Sequence, residues 1–155
     1  MREIVAEMDR RDREWLNGIV EGVGYGAEDG TTPKPFEIDA AESLGANGIF
    51  AVFMPVAKEN GVRSSDIRID SDRWDIKSPV GNGNQTIYHQ FDEVVGQAHK
   101  IVIDPSRTDI LLESAVEKSL KHINYSYRYK DEEFLFDGVL LISRDDWLVR
   151  IFRRS

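Results

Sequence analysis

Cysteine is absent from the 155 residues, which excludes disulfides, thiolate zinc sites, cysteine nucleophiles and iron-sulfur clusters together. Histidine is scarce: His89, His99 and His122 are the whole supply, so a multi-histidine metal centre is not expected. No apolar run approaches the roughly 20 residues that a bilayer span needs. The opening Met-Arg-Glu-Ile-Val-Ala-Glu lacks the continuous apolar stretch of a signal peptide, so the chain reads as soluble, with no membrane span. Basic residues are outnumbered 20 to 28, for a net charge of -8, and an acidic surface is a poor start for binding phosphates.

The charge is unevenly spread, and that weakens the last exclusion. Residues 1–47 carry eleven Asp and Glu against five Lys and Arg, whereas 60–108 carry seven against six and 109–155 nine against eight. The last six residues include Arg150, Arg153 and Arg154. Locally basic grooves are therefore compatible with the composition. Length and a 41% hydrophobic content fit one folded domain with a real core.

Ile4, Val5, Met8, Trp15, Leu16, Ile19 and Val20 recur at helical spacing, interrupted at Arg11 and Asp12, and predict an N-terminal helix. Residues 22–35 hold four glycines and two prolines and read as a linker. Its Gly-x-Gly-x-Gly has no strand before it and is not a nucleotide loop. The expected division is a helix and linker over 1–35 and a folded domain over 36–155.

Within that domain, 36–44 predicts a short helix closed by Gly45 and Asn47-Gly48. A strand follows over 49–54, then two alternating segments, 66–70 and 73–77, read as a hairpin around Ser71-Asp72. Ile87, Phe91, Val94, Val95 and Ala98 mark a helix over 85–98, and 100–104 a buried strand. A helix over 109–122, with Ile110, Leu111, Ala115 and Leu120 inward, precedes two strands at 138–143 and 147–152. The fold class expected is α+β, a central mixed sheet flanked by helices.

Counting outward from a Ser71-Asp72 turn pairs Asp70 with Arg73, Arg68 with Asp75 and Asp66 with Lys77. Side chains alternate along a strand, so Ile67, Ile69, Trp74 and Ile76 form an apolar face. Asp66, Arg68, Asp70, Arg73, Asp75 and Lys77 form a charged one. Two carboxylates and a lysine suit phosphodiester chemistry: carboxylate oxygens hold Mg²⁺, and a lysine neutralises charge developing on phosphorus. The spacing Asp66, eight residues, Asp75-x-Lys77 is that of restriction-endonuclease-like sites, where a helical acid such as Glu42 could complete a metal set with Asp66 and Asp75. The same face could equally be a solvated surface of cross-strand ion pairs, each worth a few tenths of a kcal/mol.

A longer resemblance favours chemistry. Ser65-Asp66, the hairpin, Trp74-Asp75-Ile76-Lys77-Ser78-Pro79-x-Gly81, Thr86-Ile87, Gln97 and Ile101-Val-Ile-Asp104 resemble the C-terminal tRNase toxin domain of contact-dependent growth inhibition proteins. Asp75 stands where the pattern has Glu, one methylene shorter, and Ser65 where it has Ala. The likeness spans about 36–152, with its specific residues in 65–104. It implies a ribonuclease that cleaves tRNA, is delivered into the cytoplasm of a target bacterium, and is neutralised at home by a cognate immunity protein. It leaves the fold open between a restriction-endonuclease-like sheet and the barnase, colicin and RelE type of RNase fold, and the element order (helix, three strands, helix, strand) favours the former. Mg²⁺ dependence and metal-free cleavage are both open under it. A non-catalytic interaction module, a degenerate toxin or phage-head-associated domain, is the competing function.

Several other residues join the candidate site. Thr86 and Asn84 lie at a helix N-terminus, where backbone N–H groups accept phosphate and where either side chain could instead cap the helix. His89, on the polar side of that helix, is the imidazole to serve as base if no metal is used. Arg68, Asn84, Gln97 and Arg107 are candidate substrate contacts, and Asp66, Asp75, Lys77, Thr86 and His89 the candidate catalytic set. Tyr125, Tyr127 and Tyr129, alternating with Ser126, Arg128 and Lys130, could stack unpaired bases or pack as an edge strand.

Overall fold

A computed structural model describes residues 25–28, 30–55, 65–143, 145 and 147–153, with backbone only at 65 and 66. The helix expected over 3–21 and the side chain of Asp66 lie outside the described residues. Among the described residues nine strands and three α-helices follow in the order β1 (Tyr25–Ala27), α1 (Pro35–Ala46), β2 (Ala51–Phe53), β3 (Ser65–Ile69), β4 (Asp72–Lys77), α2 (Thr86–Val94), β5 (Lys100–Ile103), α3 (Leu112–Asn124), β6 (Tyr127–Tyr129), β7 (Glu132–Phe134), β8 (Gly138–Ile142) and β9 (Leu148–Phe152). Seven strands make one mixed sheet ordered β1-β2-β3-β4-β5-β8-β9, and β6 and β7 pair by themselves. The succession α1, β2, β3, β4, α2, β5 is the expected helix, three strands, helix, strand.

Part of the segment expected to be a linker is a strand of the sheet. Tyr25–Ala27 runs parallel to β2, Tyr25 opposite Ala51 and Ala27 opposite Phe53, so the sheet begins before residue 36. Gly26 sits in the middle of this edge strand. Pro35 then starts α1, where its missing N–H costs nothing, and the Glu37 carboxylate accepts the Lys34 N–H at 2.7 Å. The helix runs through Gly45 and ends at Ala46 with Asn47 as C-cap, and Gly48, with a φ of 80°, lets Ile49 N–H return to the Leu44 carbonyl at 2.9 Å.

The sheet buries both faces, and its period of two sorts the core. Val102, Leu140 and Ile142 pack with Ala40, Ala41 and Leu44 of α1 and with Ile67, Ile69, Trp74 and Ile76. Ile101, Ile103, Val139 and Leu141 pack instead with Ile87, Phe91 and Val94 of α2 and with Ala115 and Ile123 of α3. Central parallel strands covered on both sides need continuous apolar runs, which Ile101 to Ile103 and Val139 to Ile142 provide.

Two readings change in register or phase. The β3–β4 turn is Asp70-Ser71, with Ile69 opposite Asp72, Arg68 opposite Arg73 and Asp66 opposite Asp75. Asp70 takes a left-handed φ of 54°, which Asp tolerates, and the pairing slides by two residues. Both faces survive a slide of two; the expected Asp66 to Lys77 and Arg68 to Asp75 pairings do not. In α3 the inward residues are Ala115, Ser119 and Ile123, while Leu111 and Leu120 are exposed. Ser119 can be buried because its hydroxyl donates to the Ala115 carbonyl at 2.7 Å.

Candidate active site

Asp75 and Lys77 project from β4 onto the sheet face that carries α2 and α3, since they share the parallel ladder with Ile101 and Ile103. Trp74 and Ile76 alternate onto the α1 face. Beyond Lys77 the chain crosses an exposed loop and returns as α2 on that same face. Asp75 is fully buried, and the ladder sets the backbone of Asp66 directly across from it. Lys77 is largely enclosed, its Nζ 3.4 Å from Glu93 Oε2. The charged hairpin face is thus a partly covered site in which α2 closes over the lysine.

Glu93 escaped the sequence reading because it looks like any charge on the outer side of a helix. The signal available was spacing: Thr86, Gln90 and Glu93 fall at i, i+4 and i+7, one stripe along α2, and Glu93 shows that this stripe borders Lys77. His89 is exposed one turn before Glu93, at the rim of the same flank. Thr86 is half-buried at the first helical position, and Asn84 stands in the exposed loop with its carbonyl accepting Lys118 Nζ at 2.7 Å. Neither caps α2; the N-cap is Gln85, which makes no side-chain capping bond. Gln97, past the helix end, donates to the Glu93 carbonyl at 2.7 Å.

Three candidates are placed elsewhere than expected. Glu42 is exposed on α1, which packs on the sheet face opposite Asp75, so it does not join Asp66 and Asp75. Arg68 is held at 3.4 Å by Glu28, just past β1. Arg107 is a clamp: its Nε donates to Ser78 Oγ at 3.1 Å and its Nη2 to the Ser78 carbonyl, while its guanidinium lies 4.2 Å from the Phe36 ring centre. The turn that carries it is set by Asp104, whose carboxylate accepts Ser106 N–H at 3.0 Å and whose N–H donates to the Lys77 carbonyl at 2.9 Å. Asp104-Pro-Ser-Arg107 therefore fixes the backbone immediately after Lys77.

Electrostatics follow from this enclosure. A carboxylate taken wholly out of water needs compensating partners, and like charges directly across a ladder are unfavourable. Asp75 is such a buried carboxylate, and the register sets the backbone of Asp66 across from it. Among the described residues no group of three or more His, Asp or Glu gathers into a metal-binding cluster. Lys77, partly exposed and paired with Glu93, offers a cation two residues along the same face.

Residues 63–146, which span the hairpin, α2, β5 and α3, match the family model described as the contact-dependent growth inhibition CdiA C-terminal domain. Among solved structures, a chain of the CdiA-CT/CdiI toxin and immunity complex from Burkholderia pseudomallei has a similar fold, with a TM-score of 0.59 over 83% of this chain and 98% of that one at 15% identity. No curated protein matches this chain.

Proposed function

The chain belongs to the contact-dependent growth inhibition CdiA C-terminal domain family, and from that premise we propose that it is a toxin that cleaves RNA, with tRNA as substrate. The observation that carries this reading is the pairing of a fully buried Asp75 with Asp66 across the β3–β4 ladder, with Lys77 enclosed two residues on. An acid pair beside an ammonium fits in-line attack on a phosphodiester: the acids polarise or deprotonate the nucleophile, and Lys77 stabilises charge on the phosphoryl oxygens. Asp66 and Asp75 are the residues that would hold Mg²⁺, which when bound supplies an activated water and neutralises the leaving oxygen. Without metal, His89 on the flanking turn of α2 is the base to consider, with Thr86 beside it.

Action in the cytoplasm of a target bacterium and neutralisation by a cognate immunity protein complete the proposal. The complex in which the similar fold occurs, a toxin with its immunity protein, supports such a partner. Among the described residues no helix is long and apolar enough to cross a membrane.

The test is direct. Purified chain incubated with total tRNA should produce discrete fragments on a denaturing gel. If the acid pair works through metal, excess EDTA abolishes cleavage and Mg²⁺ or Mn²⁺ restores it; full activity in chelator moves the chemistry to His89 and Thr86. A folded chain that cleaves no RNA under either condition would favour the non-catalytic interaction module.

A further inference from the structure

On the other flank of α2, away from Lys77, lies a concavity of about 420 Å³ walled by Tyr88, His122, Tyr125 and Tyr127. These rings are fixed by one another. His122 stacks flat on Phe91, with centres 4.5 Å apart and planes 4° apart, and shares a hydrogen bond between its Nδ1 and the Tyr127 hydroxyl. Tyr88 leans on His122 at 4.7 Å, and Tyr125 packs edge-on to Tyr127 at 4.7 Å. Tyr125 is nonetheless 59% exposed. It lines, with Lys121, a second concavity bounded by Glu117, Leu120 and Asn124, so its ring and the lysine stand on the wall between two hollows.

We propose that this aromatic corner binds an unpaired base of an RNA strand, stacked against Tyr125 beside the His122 pocket. The inference rests on the ribonuclease reading and deepens it by naming single-stranded RNA as what the surface grips. Flat rings locked before binding present area to a base at little cost in side-chain entropy. Gln85 and Asp92 on the same lining offer a donor and acceptors to a base edge. Lys121 at the shared wall and Lys118, whose Nζ sits 5.6 Å from the Tyr88 ring centre, supply cations for the adjoining phosphates. Aromatic stacking with flanking cations is how proteins hold unpaired nucleotides. Burial lowers the His122 pKa, against a smaller opposing pull from Asp92.

The experiment uses the full chain carrying Lys77→Ala to prevent cleavage and a fluorescein-labelled single-stranded RNA decamer, with the same sequence as a duplex for comparison. Adding Tyr125→Ala should weaken single-strand binding by about tenfold and leave the duplex within twofold, and Tyr125→Trp should restore single-strand affinity. An unchanged single-strand affinity in Tyr125→Ala, an equal loss for both RNAs, or no binding of the single strand at all overturns the pocket. Cleavage of tRNA by the unmodified chain reads the other claim separately. A chain that cleaves while ignoring Tyr125 loses the pocket alone, and one that shows the Tyr125-dependent preference without cleaving loses the ribonuclease reading alone.

Discussion

The two flanks of α2 face different chemistry on the same nine-residue helix. One side carries Thr86, Gln90 and Glu93 toward the β4 lysine; the other carries Tyr88 and Asp92 toward α3 and the His122 cluster. Ile87, Phe91 and Val94 between them are buried and hold the helix to the sheet. On the proposed reading, changes on the charged flank should act on the cleavage step, and changes on the aromatic flank on stability and RNA affinity.

The largest effect on stability is expected where the aromatic flank is pinned to the end of α2. Gly96 has a φ of 82°, and a Cβ there would meet the Tyr129 ring at 2.5 Å. Gly96→Ala should therefore cost about 2–4 kcal/mol, combining left-handed strain with overpacking, seen as a fall in Tm of roughly 5–15 °C. In Gly96→Ala with Tyr129→Ala the steric part should be relieved and the strain part remain. A double variant as unstable as the sum of the two single ones would mean that the hairpin does not dock on Gly96. RNA cleavage below the unfolding temperature should persist in Gly96→Ala, because the change lies off the Lys77 flank.

A smaller effect concerns pH. The Nε2 of His122 is buried with no hydrogen-bond partner among the described residues, and burial holds its pKa below the ordinary value. The unfolded chain then takes up the proton more readily than the folded one. Stability from this group is full above about pH 6.5 and is lost as pH falls through the lower folded pKa. His122→Phe, which keeps the ring stacked on Phe91, should flatten that acid decline in denaturant titrations at pH 5 and pH 7.5. An identical slope in wild type and variant would remove His122 from the account.

How much of this the sequence disclosed depends on which physical rule governs each part. Alternation is a strong rule, so the hairpin's two faces, with Asp75 and Lys77 together and Trp74 and Ile76 opposite, were legible from residues 66–77 alone. Register was not, because it turned on a single left-handed Asp70 that no glycine announced. The β6–β7 hairpin was hidden for the same reason: its turn is Lys130-Asp131, both with positive φ, in a sequence without the usual Asn-Gly. Glycines misled in the other direction at β1, where a breaker-rich stretch still supplied an edge strand. Within the site, residue type pointed to Lys77 and Asp75, but Glu93, the Arg107 clamp and the separation of Glu42 depend on which face each helix covers, and that is decided by packing across the whole sheet.

The central claim is that the enclosed Asp75 and Lys77 of β4 perform the cleavage. The measurement that tests it is single-turnover cleavage of tRNA by Lys77→Ala and by the near-isosteric Asp75→Asn, each with its Tm recorded beside wild type. Removing the cation or the negative charge from the reacting centre should lower the rate by about 100-fold or more, with Lys77→Ala still folded and its Tm within a few degrees of wild type. Wild-type-like cleavage by a folded Lys77→Ala chain would contradict the account.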